Sequence, residues 1–157
     1  MSDDRKLVIR RVLDAPRSLV FAAWIDEQQA ARWWGPKGFT TVANKMDVRV
    51  GGEWRRQMRS PEGAEHHSRG IYREIVEPER LVFTFSWDRG GAPGHGPETL
   101  VTLTFADLGG DRTELTLSQE LFETAAARDA HYHGWSGCLD ELSEYLTAAV
   151  HSLGEKR

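Results

Sequence analysis

Large apolar side chains occupy every second position from Leu81 through Phe83 and Phe85 to Trp87. A period of two with one apolar face predicts a strand over 80–87. The same alternation sets Trp54, Arg56 and Met58 against Glu53, Arg55, Gln57 and Arg59, which predicts a strand over 51–59. Aliphatic and β-branched runs predict further strands over 6–13, 39–46, 68–76, 99–106 and 113–121. Turn residues stand between them: Pro61-Glu62-Gly63, Pro78 and Gly109-Gly110-Asp111. The segment 88–97 carries glycines and prolines and is expected to be the most mobile loop.

Helical spacing marks two other regions. After Asp14-Ala15-Pro16, Leu19, Val20, Ala23 and Trp24 fall near one helical face, with Asp14 the expected N-cap. Asp26 is placed to cap a second short helix that runs to Trp34 and stops at Gly35-Pro36. From 125 to 149 there are helix formers and no proline, and Trp135, Leu139, Leu142 and Leu146 recur four, three and four residues apart. That apolar stripe needs a surface to cover it, and the sheet is the surface available. The order of strand, two short helices, six strands and one long helix is an α+β pattern, not an alternating βαβ one.

Composition narrows the class. A chain of 157 residues without a dividing linker reads as a single domain, 1–157, with its core over about 6–149. The net charge is −4 and there are no basic runs, which argues against nucleic acid or an anionic membrane as partner. One cysteine, Cys138, suits a reducing compartment, and its place beside Leu139 and Leu142 reads as a buried thiol. The polar start of the chain and the lack of a long apolar run predict a cytoplasmic protein with no membrane insertion. His66-His67 and His131/His133 lack metal-ligand spacing, so no metal and no cofactor is expected. Nor is there a nucleophile elbow or a phosphate-binding glycine loop.

Several motifs together resemble a known family. They are Asp14-Ala15-Pro16, Arg32-Trp33-Trp34-Gly35-Pro36, Asp47-Val48-Arg49-Val50-Gly51-Gly52, Gly70-Ile71-Tyr72, Pro78-Glu79-Arg80-Leu81 and Gly134-Trp135 with Leu139. In this order they resemble the START-like (SRPBCC) superfamily, and within it the bacterial homologues of the activator of the Hsp90 chaperone ATPase. The resemblance implies a helix-grip fold: a curved antiparallel sheet of six to seven strands wrapped around the C-terminal helix, with a cavity between them. It also implies a small apolar molecule as the partner, while leaving a homodimer open.

The cavity so implied has an aromatic lining of Trp34, Trp54, Phe83, Phe85, Trp87 and Trp135, with Arg56, Tyr72 and Glu74 as polar orienting groups. If the Trp54 side of its strand is concave, Arg56 places a charge inside and needs a carboxylate partner such as Glu74, or an anionic ligand group. Otherwise Trp54 covers the rim and Arg56 reaches solvent. Two other readings stand beside ligand binding. One is a cyclase- or hydrolase-type enzyme in which Glu74 or His67 acts as acid or base in the cavity. The other, a chaperone-ATPase interaction module, ranks last, because larger relatives pair this domain with a further N-terminal one.

Overall fold

The computed structural model describes residues 5–35, 37–87 and 98–155. In chain order the elements are β1 (Leu7–Leu13), α1 (Arg17–Ile25), α2 (Glu27–Trp33), β2 (Thr40–Met46), β3 (Glu53–Arg59), β4 (Glu65–Val76), β5 (Arg80–Trp87), β6 (Thr99–Gly109), β7 (Arg112–Glu120) and α3 (Ala125–Glu155). The seven strands form one antiparallel sheet in the order β1-β7-β6-β5-β4-β3-β2. This is the expected α+β helix-grip architecture: the meander from β2 to β7 closes on β1, and α3 lies against the sheet's concave side.

Alternation decides which face is inside. In β3, Trp54, Arg56 and Met58 are buried while Arg55 and Arg59 are exposed. In β5, Leu81, Phe83 and Phe85 are 4 % exposed or less and enter the core. The stripe on α3 is buried throughout, with Leu139 and Leu142 fully enclosed and Trp135 and Leu146 nearly so. No helix among the described residues is long and apolar enough to cross a membrane.

Two glycines permit the close approach of neighbouring strands. A Cβ on Gly52 would overlap the carbonyl of Asp47, and one on Gly70 would overlap that of Thr84. Bulges between Thr41 and Ala43, Tyr72 and Glu74, and Asp107 and Gly109 interrupt the register and bend the strands that carry them.

Asp26 caps α2 as its position predicts, its Oδ1 accepting the backbone N–H groups of Gln28 at 3.0 Å and Gln29 at 3.1 Å. Asp14 does not cap α1. Pro16 holds the N-cap position, no side chain bonds the first turn, and Asp14 lies 3.9 Å from Arg112 at the surface. Pro16 presets its own φ, so the helix begins two residues too late for Asp14 to reach its free N–H groups. Strand β4 begins at Glu65, earlier than the expected 68, because the Ser60–Ala64 turn is tight enough for pairing with β3 to resume at once. His66 and His67 thereby become strand residues. The glycine-rich segment 88–97, expected to be the most mobile loop, and Pro36 lie outside the described residues.

Because Leu142 is fully enclosed between α3 and the sheet, Leu142→Ala should lower unfolding stability by about 2–5 kcal/mol. Urea melts read this directly. A loss below about 1 kcal/mol would mean that the helix seam is looser than its burial indicates.

Candidate functional site

The helix stripe does not close completely on the sheet. A cavity of about 250 Å³ remains between them. From α3 it is lined by Ala130, His131, Gly134, Trp135 and Cys138, residues spaced so that they share one helical face. The sheet contributes Met58, His66, Phe85 and Trp87. Trp34, Gly35 and Phe39, from the connection between α2 and β2, form the third wall.

Hydrogen bonds fix the wall aromatics. The Trp135 indole N–H donates to Gln119 Oε1 at 2.7 Å, Gln119 Nε2 donates to Thr99 Oγ1 at 2.8 Å, and the Thr99 hydroxyl donates to the Phe85 carbonyl at 2.8 Å. This buried relay runs from α3 through β7 and β6 to β5. It satisfies Gln119, which is fully enclosed and would otherwise be a costly polar group. On the opposite side the Trp87 indole N–H donates to His131 Nε2 at 2.9 Å, which leaves the ring proton of the neutral imidazole on Nδ1. The His131 ring also packs against Phe85 and Phe122. Burial lowers its pKa to about 4, because the charged form would lose its hydration. Cys138 is likewise a neutral group: burial raises its pKa to about 12, and Sγ accepts the backbone N–H of Gly35 at 3.1 Å.

Next to the cavity lies a crevice of about 10 Å³ bounded by Trp24, Trp34, Trp54, Arg56, Tyr72 and Phe83. Trp34 lines both spaces. Arg56 therefore points inward, as the alternation of β3 requires, but it faces the crevice and is separated from the larger cavity by one indole. Its guanidinium carbon is 3.5 Å from the centroid of the Trp34 ring and 5.3 Å from that of Trp54. Only 4 % of the residue is exposed, and its Nε and Nη1 have no hydrogen-bond partner. Burial lowers the pKa to about 10, with Cys138 and Tyr72 raising it in smaller measure, so Arg56 keeps its charge at neutral pH. Tyr72 is held un-ionised, its pKa raised to about 12 mainly by burial.

The residues expected from sequence thus separate into two groups and one outlier. Trp34, Phe85, Trp87 and Trp135 line the cavity; Trp54, Arg56, Tyr72 and Phe83 surround the crevice beside it. Glu74 belongs to neither. The bulge after Tyr72 places it opposite Val82 on the outer face, where it pairs with Arg80 at 3.1 Å. It is not the carboxylate that Arg56 was expected to need. His67 also faces outward, 3.8 Å from Glu65, so neither acid/base candidate reaches the cavity. Sequence reasoning passed over His131 and Gly134, although both stand four residues from wall positions on α3. It also passed over His66 and Phe39, which no periodic pattern marks. Among the described residues no group of three or more His, Cys, Asp or Glu is placed to hold a metal ion.

A long helix gripped by a seven-stranded antiparallel sheet, with a cavity between them, defines a helix-grip protein. The family model described as "Activator of Hsp90 ATPase homolog 1-like protein" matches residues 14–147, and the chain belongs to that family. A crystal structure of a Chromobacterium violaceum protein superposes with a TM-score of 0.80 at 31% identity, covering 90% of this chain and 96% of its own. One from Rhizobium leguminosarum gives 0.75 at 26%, covering 91% and 94%. The Silicibacter pomeroyi protein gives 0.82 at 23%, covering 92% and 99%, and at that identity shares the fold. No protein of curated function matches.

The low pKa of His131 makes stability depend on pH. In the unfolded chain the imidazole takes up a proton below about 6.5, whereas in the folded protein it resists until about 4. Protons thus favour the unfolded state in that window, and His131 contributes stability above pH 6.5 that is lost as pH falls toward 4. The loss assignable to it should be on the order of 2 kcal/mol. Comparing denaturant melts of wild type and His131→Gln between pH 7 and 4 isolates it; parallel pH profiles would show that His131 protonates as easily folded as unfolded.

Proposed function

We propose that this protein binds a small, largely apolar molecule in the cavity between α3 and β3–β5. The observation that carries this reading is the cavity itself: about 250 Å³ of space, walled by aromatic and thioether side chains, whose rim includes the exposed Ala130 and His66. Protein interiors are packed nearly without voids, and a cavity of 150 Å³ with an apolar lining already takes up benzene. Here the space suits a body of one to two fused rings. Several polar groups of the walls are bonded within the protein: Trp87 to His131, Trp135 to Gln119, and Gly35 to Cys138. A ligand body therefore meets a surface that asks for apolar contact. The acid/base reading draws no support from Glu74 or His67, both turned outward, and the family's chaperone-activator name identifies no surface on this chain.

Gly134 supplies the test. A Cβ at this position meets no atom within 4 Å, and the residue lines the cavity from a helix. Gly134→Leu should fill the space and, by replacing a helical glycine, leave stability unchanged or raise it by roughly 0.5–1 kcal/mol. With 2-naphthalenemethanol as probe, calorimetric titration should show binding to wild type and at least about tenfold weaker binding to Gly134→Leu, a 1.4 kcal/mol difference. Equal affinities, or failure of both this alcohol and the matching acid, 2-naphthoate, to bind wild type, would refute the cavity as the site.

A further inference from the structure

A buried guanidinium needs a counter-charge or a full set of acceptors, because the desolvation of an ion costs several kcal/mol. Arg56 has neither among the described residues: Glu74 is turned outward to Arg80, and Nε and Nη1 are unbonded. What stands against it is the face of Trp34, at 3.5 Å. An indole face attracts a cation, but by about 0.5–2 kcal/mol, less than a charge-assisted hydrogen bond together with the ion attraction of a carboxylate.

We propose that Arg56 is the anion-recognition point of the cavity, that its ligand is a carboxylate carried on an apolar body of one to two rings, and that Trp34 is the group this carboxylate displaces. The inference rests on the cavity-binding reading and specifies its ligand class. Three observations carry it. First, Trp34 borders both the cavity and the crevice that holds Arg56, so a ligand in the one reaches the other by moving that side chain. Second, Trp34 is the member of its cluster built to move. Of the five tryptophans in mutual contact it is the most exposed, at 8 %, and its indole N–H, like those of Trp24 and Trp54, makes no hydrogen bond among the described residues, whereas Trp33 is bonded to the Ala23 carbonyl and Trp135 to Gln119. It also sits just past the last turn of α2, in extended backbone, and is followed by Gly35 at φ 104°. Third, with Trp34 in place the crevice offers about 10 Å³, no more than one water needs, so a carboxylate cannot pass into it from the cavity without the exchange.

The charge count selects the anion. One guanidinium beside neutral Tyr72 and neutral Cys138 balances one negative charge, and a dianion such as a phosphate monoester would carry an uncompensated charge into an apolar space. The planar guanidinium also matches the planar carboxylate, and Tyr72, whose side chain carries a further donor, lines the same crevice.

A matched pair of probes, 2-naphthoate and 2-naphthalenemethanol, tests this on the intact protein at pH 7. Arg56→Met keeps the stem and removes the charge. It should weaken naphthoate about 10- to 100-fold and leave the alcohol within about twofold, since a hydrogen bond to a charged group is what is lost. Losses that are equal for the two probes, or naphthoate binding unchanged, overturn the proposal while leaving the cavity reading intact. Failure of both probes to bind wild type overturns the cavity reading, and this one with it. A second measurement needs no variant. In nitrogen-15 spectra of wild type, naphthoate should shift the Arg56 Nε–H resonance, and the alcohol, although it packs against Trp34 in the same cavity, should leave it in place; an Arg56 Nε–H that responds to both probes, or to neither, rejects the exchange.

Discussion

One long helix has to bury its apolar stripe against the hollow side of a single sheet, with the short α1 and α2 and the residue after them adding Trp24 and Trp34 against Trp135. The stripe of Trp135, Leu139, Leu142 and Leu146 lies on one helix, whereas bulges bend the sheet beneath it. A rod and a bent surface touch along part of their length. Where they touch, the leucines are fully enclosed; where they part, toward the start of the helix, large rings must span the gap. The aromatic content of the core follows from that geometry. Five tryptophans meet ring to ring there, Trp34 alone contacting Trp24, Trp33, Trp54 and Trp135. The cavity is the part of the gap that even these rings leave unfilled.

An unfilled space in a core persists only if its walls are held apart. Here the walls are stiffened by hydrogen bonds that cross between elements: Trp135 through Gln119 and Thr99 to the Phe85 carbonyl, and Trp87 to His131. Each bond fixes the orientation of a ring that could otherwise rotate inward and fill the space. The relay is also all-or-none in character, since removing Thr99 or Gln119 would strand the remaining buried groups without partners. Polar chemistry thus maintains an apolar hollow.

The amino-acid pattern discloses the faces of this structure wherever its period is unbroken and loses them where it is interrupted. The period of two in β3 and β5 disclosed the inward face, including the inward turn of Arg56, because Trp54 and Met58 share its parity. The spacing on α3 disclosed the seam, because a helix of this length keeps a constant phase. Parity failed at Glu74. A bulge adds one residue after Tyr72 and reverses every later side chain of that strand, and nothing in Arg73-Glu74-Ile75 marks it. His131 lies one helical turn before Trp135 and was within reach of the same spacing argument. Its polar character set it apart from the stripe, although a neutral imidazole with one bonded nitrogen packs much as an aromatic ring does. Phe39 was not legible, because it lies in a connection whose course is set by Gly35 and Gly38 at positive φ, not by periodicity.

The placement of Arg56 is then the departure from consistency that stands out most. Every other interior group is apolar or hydrogen-bonded through a partner, or, like the Trp24 and Trp54 indole nitrogens and the Ser68 hydroxyl, is unbonded but neutral. Arg56 alone among the described residues combines a charge with near-complete burial. A methionine would fit beside Trp54 and Met58 without desolvation cost, and exchanging buried ions for apolar residues is often neutral or stabilising. Stability therefore gives no reason for an arginine at this position. The stack on Trp34 offsets part of the cost and stands between the charge and the cavity, which keeps the cavity wall apolar. A core that carries an unpaired charge behind a ring with no hydrogen bond of its own gives up stability at that point, and the exchange proposed above is one use for what it gives up.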